Sequence, residues 1–166
     1  MNKADGTPPN NPDHTLLPNE PDHTPLPVDH TRVLVVEDSQ EDAEAIERAL
    51  SRSHPDLSLR FTERGEGVVA GLLTDELLPG LVLLDLNMPG VSGFSVLRDI
   101  RSRPELAGVA VVVFTSSTAP AEVDASYAAG ADSYIYKPVN FDLFRTVLKG
   151  AVDYWQDTRV SPPQGR

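Results

Sequence analysis

The sequence contains no cysteine, so it can form no disulfide framework, thiolate nucleophile or cysteine-ligated metal site. No uninterrupted apolar run approaches the roughly 18 residues that a membrane helix needs. The N-terminus also lacks the apolar stretch of about 7–15 residues that marks a signal peptide. Basic residues are scarce, because 14 Lys and Arg against 25 Asp and Glu give a net charge of −11. We therefore expect a cytoplasmic protein without a nucleic-acid or membrane partner.

The composition fits one folded domain between two tails. Of the 166 residues, 40% are hydrophobic and 23% are charged, as in ordinary globular proteins. Residues 1–31 hold seven of the fifteen prolines and little periodic apolar content. Such a segment cannot bury enough surface to offset the entropy that ordering costs. We expect a disordered proline-rich tail over 1–30, a folded domain over 31–156 and a second disordered tail over 157–166.

The N-terminal tail contains an internal repeat, in which Asp-His-Thr occurs at 13–15, 22–24 and 29–31. Imidazole beside carboxylate can bind zinc, so one interpretation is a weak metal-binding tract. The other interpretation is a duplicated tail sequence without a chemical role. The sequence leaves both open.

The central region alternates between strand and helix patterns. The β-branched or alternating runs that predict strands are 32–36, 57–62, 81–84, 109–114 and 133–136. The segments with helical periodicity are 39–53, 65–77, 92–103, 119–130 and 141–155. Ser39 and Asn140 stand where N-caps of the first and last helices are expected. Five strands alternating with five helices predict an α/β fold, a doubly wound parallel sheet covered on both faces.

Polar residues follow the predicted strands and should meet at one edge of the sheet. Glu37 and Asp38 end the first strand, Asp85 the third, Thr115 the fourth and Lys137 the fifth. Three converging carboxylates repel one another and require protons or a cation. An oxygen-only ligand set favours a hard metal, and Mg²⁺ is the usual choice. Asp85 is then the natural nucleophile and would form an aspartyl phosphate.

The segments that carry these residues, "VLVVEDS", "LVLLDLNMPGVSGF", "VVVFTSS" and "YIYKP", resemble the receiver domain of bacterial two-component response regulators. The resemblance covers about residues 31–156 and implies the flavodoxin-like receiver fold with strand order 2-1-3-4-5. It implies that Asp85 accepts a phosphoryl group from a histidine kinase. It further implies Mg²⁺ bound by Asp38 and Asp85, by Glu37 directly or through water, and by the main-chain carbonyl of Asn87.

The same resemblance assigns the remaining strand-end residues to a switch. Lys137 would contact the phosphoryl group and precede a cis bond to Pro138. Thr115 would follow the new phosphoryl oxygen and move its loop. Tyr134, three residues before the lysine, would occupy the position of the switch aromatic residue.

The segments "VEDSQEDAEAIERAL", "SYAAGADSYIYKPVNFDLF" and "AVDYW" look like the small stand-alone regulators that partner bacterial phytochromes. This similarity implies a light-regulated histidine kinase as partner and output through protein contact or phosphoryl flow rather than through an enzymatic domain. Aromatic residues are enriched in protein interfaces. We therefore predict a homodimer face around the fourth helix, fifth strand and fifth helix, with Phe144, Tyr154 and Trp155 as its candidate anchors. Phe144 and Trp155 are alternatively plain core and rim residues.

Three other interpretations remain. "GEGVVA" (65–70) fits the G-x-G-x-x-A motif of nicotinamide-binding Rossmann enzymes, and Asp85 follows at a suitable distance. Glu63 and Glu66, however, would place negative charge beside the pyrophosphate. A haloacid-dehalogenase-like phosphohydrolase also uses an aspartyl phosphate but would require an acid where Asn87 stands. The last interpretation is a degenerate receiver domain that no longer accepts phosphate.

Overall fold

A computed structural model describes residues 24–157, which form one sheet with helices on both of its faces. The strands are β1 (Val28–Val36), β2 (Ser58–Thr62), β3 (Leu78–Leu84), β4 (Ala110–Thr115) and β5 (Ser133–Tyr136). The α-helices are α1 (Gln40–Ser53), α2 (Val68–Thr74), α3 (Gly93–Arg101), α4 (Pro120–Ala128) and α5 (Phe141–Asp157), and a 3₁₀ helix spans Pro104–Leu106. Among these residues no helix is both long and apolar enough to cross a membrane.

The five strands run parallel in the order β2-β1-β3-β4-β5, which confirms the predicted fold. One hydrophobic cluster packs α2 and α3 against the sheet and includes Leu72, Leu97 and Ile100. A second cluster on the opposite face joins α1 and α5 through Ile46 and Leu148. Every residue of β3 and β4 is buried, because these central strands are covered on both faces. The polar residues at their ends are therefore held on a rigid support.

The first strand begins earlier than the sequence predicts. Val28 already pairs with Leu78 in β3, and the carbonyl of Pro27 accepts a hydrogen bond from the Leu78 amide. Leu26 and Val28 pack against the core, which is why this part of the chain is ordered. The predicted tail boundary at residue 30 is thus wrong for residues 28–30. Asp157, predicted to begin the second tail, is instead the last residue of α5. Residues 1–23 and 158–166, which make up most of the predicted tails, lie outside the described part of the chain.

The third copy of the repeat lies within β1. The Asp29 carboxylate accepts hydrogen bonds from the backbone amide and the hydroxyl of Thr31. The register between β1 and β3 shifts just after this turn. In this copy the Asp and Thr form a local turn within the strand, a role for which short polar side chains are suited. The first copy and most of the second lie outside the described residues.

The glycine-rich segment before α2 has a packing role. A Cβ atom on Gly65 would lie 2.8 Å from the Val96 side chain and 2.9 Å from the Val91 carbonyl, so only glycine fits there. Gly67 has a φ of 79° and precedes a helix of only seven residues, Val68–Thr74. The predicted helix over 65–77 is therefore too long at both ends, because the loop packs against α3 first and β3 begins at Leu78.

Candidate functional site

The carboxyl ends of β1, β3, β4 and β5 bring the predicted polar residues together. Glu37 and Asp38 follow β1, Asp85 follows β3, and Lys137 follows β5. Thr115 is the last residue of β4 and is fully buried. Neighbouring parallel strands deliver their ends to the same edge, so five residues separated by up to 100 positions share one pocket. The predicted convergence is thus present in the structure.

Glu37, Asp38 and Asp85 form a carboxylate cluster that fits a divalent metal ion. One ligand oxygen from each lies within 4.8 Å of the others. Glu37 and Asp85 are buried, at 3% and 8% exposure, whereas Asp38 is half-buried. Water therefore cannot fully screen the mutual repulsion of the three groups, and a cation between them relieves it. Three hard oxygen donors without nitrogen or sulfur are the donor set typical of Mg²⁺ or Mn²⁺.

Lys137 is the cation that the protein itself supplies to this cluster. Its Nζ lies 2.5 Å from Glu37 Oε2, 2.9 Å from Asp42 Oδ2 and 3.6 Å from Asp85 Oδ2. The side chain is only 6% exposed, so a carboxylate partner is needed to offset the desolvation of its charge. The ring of Phe114 lies beneath the ammonium, with 5.8 Å between Nζ and the ring centroid. The lysine is therefore fixed between the acids and the core.

Burial and the hydrogen bonds between the two side chains together set the pKa values of Glu37 and Lys137. Burial raises the pKa of Glu37 to about 7, against the opposing hydrogen bond and charge of Lys137. Burial also lowers the pKa of Lys137, but the hydrogen bonds to Glu37 and Asp42 outweigh it and leave that pKa raised. The ammonium thus keeps its proton at neutral pH, and Glu37 is the group whose charge is costly.

The segment after β3 shapes the surroundings of Asp85. The backbone amide of Asn87 points at Asp85 Oδ1 at 3.3 Å, and the Asn87 side chain approaches the Thr115 hydroxyl at 3.4 Å. Ser92 caps α3 by accepting a hydrogen bond from the Ser95 amide. Gly93 packs directly on the strand end, and a Cβ at this position would lie 2.2 Å from the Asp85 carbonyl oxygen. The turn residues therefore hold the Asp85 backbone close to α3.

Thr115 and Tyr134 are connected through the loop between β4 and α4. The Thr115 hydroxyl accepts a hydrogen bond from the Ser117 amide at 3.4 Å, and the Tyr134 hydroxyl donates to the Ser117 carbonyl at 2.8 Å. Burial is the main cause that raises the pKa of Tyr134, which stays protonated and able to donate. A displacement of Thr115 would therefore change the hydrogen bond of Tyr134 through one intervening residue, Ser117.

The peptide bond between Lys137 and Pro138 does not have the cis form that the family resemblance implies. The described residues contain no cis peptide bond, so the bond is trans. Trans is the lower-energy form even before proline, by about 0.5–1 kcal/mol. Pro138 lines a groove of about 400 Å³ between α1 and the segment joining β5 to α5. Asp42 and Lys137 also line this groove, which opens the pocket to solvent.

The three aromatic residues of the predicted dimer face lie in different environments. Phe144 is only 5% exposed and packs edge-on against Phe114, with 5.2 Å between the ring centroids. It is a core residue, so of its two interpretations the structure supports the core residue and not the dimer anchor. Tyr154 is 59% exposed and contacts the half-buried Trp155 edge-on at 5.1 Å. This pair is at the surface, and its part in a dimer remains a prediction.

Asp42 is a residue of the site that the sequence pattern does not single out. It is one of the acids in the first turn of α1, yet its carboxylate binds Lys137. The sequence contains one signal, because Asp42 lies in the first turn of α1, only four residues after Asp38 and so near the end of β1. That signal is weak on its own, since acids are common in the first turn of any helix.

Comparison with known proteins agrees with this geometry. The family model for the response regulator receiver domain matches residues 33–149. The response regulator Rcp1 of Synechocystis is 35% identical over 136 residues, which cover 78% of this chain and 92% of Rcp1. The crystal structure of the phosphorylated cyanobacterial phytochrome response regulator RcpA has a TM-score of 0.74 at 30% identity, covering 81% of this chain and 99% of RcpA. The Mn²⁺-bound form of Rcp1 has a TM-score of 0.71 at 32% identity, covering 79% and 98%.

These similarities extend over the whole sheet and its helices rather than over one motif. They give no support to the nicotinamide-binding or phosphohydrolase interpretations, and the glycines of 65–70 already have a packing explanation. The matched range also contains every residue of the acid pocket and its lysine. The chain therefore belongs to the family of response regulator receiver domains and resembles the phytochrome-associated regulators within it.

Proposed function

We propose that the chain is a response regulator that accepts a phosphoryl group from a histidine kinase onto Asp85. The observation that carries the proposal is the placement of a buried Asp85 between two further acids and Lys137. In the transfer, an Asp85 carboxylate oxygen attacks phosphorus and forms an acyl phosphate. The bond between phosphorus and the kinase histidine nitrogen breaks, and that nitrogen keeps the electron pair. The protein would act as a phosphoacceptor with only slow self-catalysed dephosphorylation.

Glu37, Asp38 and Asp85 would hold Mg²⁺, with the main-chain carbonyl of Asn87 as the remaining protein ligand. The metal would neutralise charge on the phosphoryl oxygens during transfer. Lys137 would contact the phosphoryl group from the carboxyl end of β5, since an ammonium near developing negative charge stabilises it. Asp85 itself contributes the nucleophilic oxygen, and its backbone is held by β3 and Gly93.

The switch would start at Thr115. A new phosphoryl oxygen gives its hydroxyl an acceptor, and the hydrogen bond from the Ser117 amide to Thr115 would have to change. Because the Tyr134 hydroxyl donates to the Ser117 carbonyl, the same movement would alter the environment of Tyr134. Pro138 would then relay changes at Lys137 to the groove beside α1. The surface formed by α4, β5 and α5 would change accordingly.

Incubation with acetyl phosphate and Mg²⁺ tests the acceptor assignment. We expect one acid-labile acyl phosphate per chain, and we expect Asp85→Asn to abolish it. Asp124→Asn, which changes an exposed acid on α4, is the matched control and should label normally. Undiminished labelling of Asp85→Asn would overturn the site. Steady turnover of a small phosphate ester would instead favour the phosphohydrolase interpretation.

The partner proposed for this site is a bacterial phytochrome with histidine kinase activity. Support comes from the similarity to Rcp1 and to the phytochrome response regulator RcpA. A profile of phosphotransfer from the histidine kinases of the host would test it, with the phytochrome kinase expected to transfer fastest. Equal or faster transfer from an unrelated kinase would contradict the phytochrome assignment but leave the acceptor role intact.

A homodimer through the α4, β5 and α5 face is a second proposal about partners. The exposed Tyr154, with Trp155 packed against it, supports it, whereas the buried Phe144 does not. Sedimentation with and without beryllofluoride and Mg²⁺ measures the association directly. We expect a dimer in the presence of the phosphoryl mimic, and a monomer under both conditions would exclude dimerisation.

A further inference from the structure

Asp42 contacts the site from outside the set of strand-end residues. It lies in the first turn of α1, and its Oδ2 accepts a hydrogen bond from Lys137 Nζ at 2.9 Å. Its side chain is 38% exposed, whereas those of Lys137 and Glu37 are 6% and 2% exposed. Asp42 therefore reaches the lysine from the solvent side of the pocket, where it also lines the groove beside Pro138.

The local helix geometry frees Asp42 for this contact. Ser39 is the N-cap of α1, and Asp42 occupies the third helical position, from which an acid ordinarily bonds back to the N-cap amide. Here the Ser39 amide donates to Glu37 Oε1 at 3.0 Å instead. The Ser39 hydroxyl still accepts from the Asp42 amide at 3.3 Å, so the backbone of Asp42 is fixed while its carboxylate turns to Lys137.

The ammonium of Lys137 lies closer to Glu37 and Asp42 than to Asp85. Among the described residues, three carboxylates lie within 4.0 Å of its Nζ, and the two hydrogen-bonded ones are Glu37 and Asp42. The third, Asp85, is at 3.6 Å, which is beyond hydrogen-bond length for an ammonium and a carboxylate. The lysine is thus held by the acids of β1 and α1 and leaves the oxygens of Asp85 without a direct hydrogen bond from it.

We infer that Asp42 is a positioning residue that holds Lys137 while Asp85 is unphosphorylated and competes with the phosphoryl group for its ammonium. The inference rests on the proposed function, because it concerns the movement of Lys137 toward a phosphoryl oxygen. The ammonium has a third N–H to donate, but it lies 3.6 Å from Asp85 Oδ2, and a movement toward a phosphoryl oxygen there would lengthen its bond to Asp42. Asp42 therefore favours the unphosphorylated state, and its removal favours the phosphorylated one.

Binding of beryllofluoride, a mimic of the phosphoryl group, tests this competition at saturating Mg²⁺ with ¹⁹F NMR as the readout. We expect Asp42→Asn to tighten binding about two- to fivefold, the range for a partly exposed ion pair. Asp42→Glu keeps the carboxylate and should restore the wild-type affinity. Glu41→Gln removes the same charge from the neighbouring residue, which also lines the groove, and should leave the affinity unchanged.

Unchanged or weaker beryllofluoride binding by Asp42→Asn would overturn the inference. Equal tightening in Glu41→Gln would also overturn it, because the effect would then come from overall charge rather than from the bond to Lys137. The failure of the proposed function is distinguishable from either result. It would appear as absent binding by the wild-type chain, or as binding that persists in Asp85→Asn, and would remove both proposals together.

Discussion

Gly93 shows how one residue without a side chain decides the geometry of the acceptor. It begins α3, and its Cα lies so close to β3 that a Cβ would be 2.2 Å from the Asp85 carbonyl oxygen and 2.7 Å from the Leu86 Cα. Both obstructing atoms belong to the backbone, so no side-chain rotation can relieve the overlap. The strand end and the helix start must move apart if any other residue stands here.

We expect Gly93→Ala to lower the free energy of unfolding by about 1–3 kcal/mol, as overpacking of a filled interior does. Phosphorylation from acetyl phosphate should fall as well, because Asp85 moves with its backbone. Gly150→Ala is the matched control, since a Cβ there has no atom within 4 Å and lies in the interior of α5. That variant should be stabilised by about 0.5–1 kcal/mol. Chemical denaturation measures the free energy of unfolding of both variants. An unchanged value for Gly93→Ala would contradict the close approach of α3 to the end of β3.

Several residues of the site could be predicted from the sequence and others could not. Asp85 and Lys137 lie at strand ends, and the local pattern together with the parallel topology is enough to predict that they share one site. The contact of Asp42 with Lys137 depends on the Ser39 amide donating to Glu37, because the Asp42 carboxylate would otherwise bond back to that amide. No local sequence pattern encodes this hydrogen bond. The burial of Phe144 depends on the facing ring of Phe114, thirty residues earlier in the chain.

At the level of elements, α1 and α5 are joined by a polar contact as well as by their apolar faces. His54 follows the last residue of α1, and its Nε2 lies 2.6 Å from Asp153 Oδ1 in α5. Lys149, one turn before Asp153, binds the other carboxylate oxygen. The contact fixes the end of α1 opposite to the one that carries Asp42.

The same contact predicts an acid-dependent stability. The hydrogen bonds from Lys149 and then His54 hold the pKa of Asp153 below its ordinary value of 3.8. Stabilisation by this group is therefore full above that value and is lost as the pH falls through the lower pKa of the folded state. We expect Asp153→Asn to be less stable than wild type by under about 1 kcal/mol near neutral pH. The difference should vanish in strong acid.

Urea denaturation at a series of pH values measures this difference. Asp142→Asn is the control, because Asp142 is 85% exposed and, within residues 24–157, forms just one ion pair, a long one to Arg145 at 3.5 Å. That variant should show little difference at any pH. A constant deficit for Asp153→Asn down to pH about 2 would mean that the carboxylate charge is not the cause.

Element boundaries followed tertiary packing where local pattern was ambiguous. The sequence predicts the central strand only over 81–84, because Pro79 and Gly80 interrupt the apolar run. In the structure β3 begins at Leu78, and Pro79 pairs with Asp29 near the start of the strand, where a missing amide is tolerated. The N-terminal part of β1 exists because β3 offers it a partner.

At the scale of the whole molecule the net charge is −11, and three of the carboxylates lie close together in the acid pocket. A metal ion that binds only the folded state stabilises it by mass action, about 1.4 kcal/mol when its concentration is ten times the dissociation constant. We therefore expect millimolar Mg²⁺ to raise the melting temperature. Asp38→Asn should reduce that rise, because it removes one ligand without touching Lys137.

The control for this melt is NaCl at equal ionic strength, which screens surface charge but does not enter the pocket. A rise of the same size with NaCl would attribute the effect to screening and contradict a specific metal site. An unchanged melt across millimolar Mg²⁺ would contradict a preformed site. Differential scanning calorimetry measures the melting temperature without added salt, with NaCl and with Mg²⁺.

The sequence by itself determined the fold class, the strand order through its family resemblance and the set of strand-end residues. The fold class and the strand-end positions follow from the periodicity of the apolar residues and the parallel topology that it predicts, whereas the strand order followed only from the resemblance. The tertiary structure alone decided that Lys137 is shared between Glu37 and Asp42 rather than bonded to Asp85. It also decided that Phe144 lies in the core and that β1 begins at Val28. These features depend on contacts between residues far apart in the chain, whose distances only packing fixes.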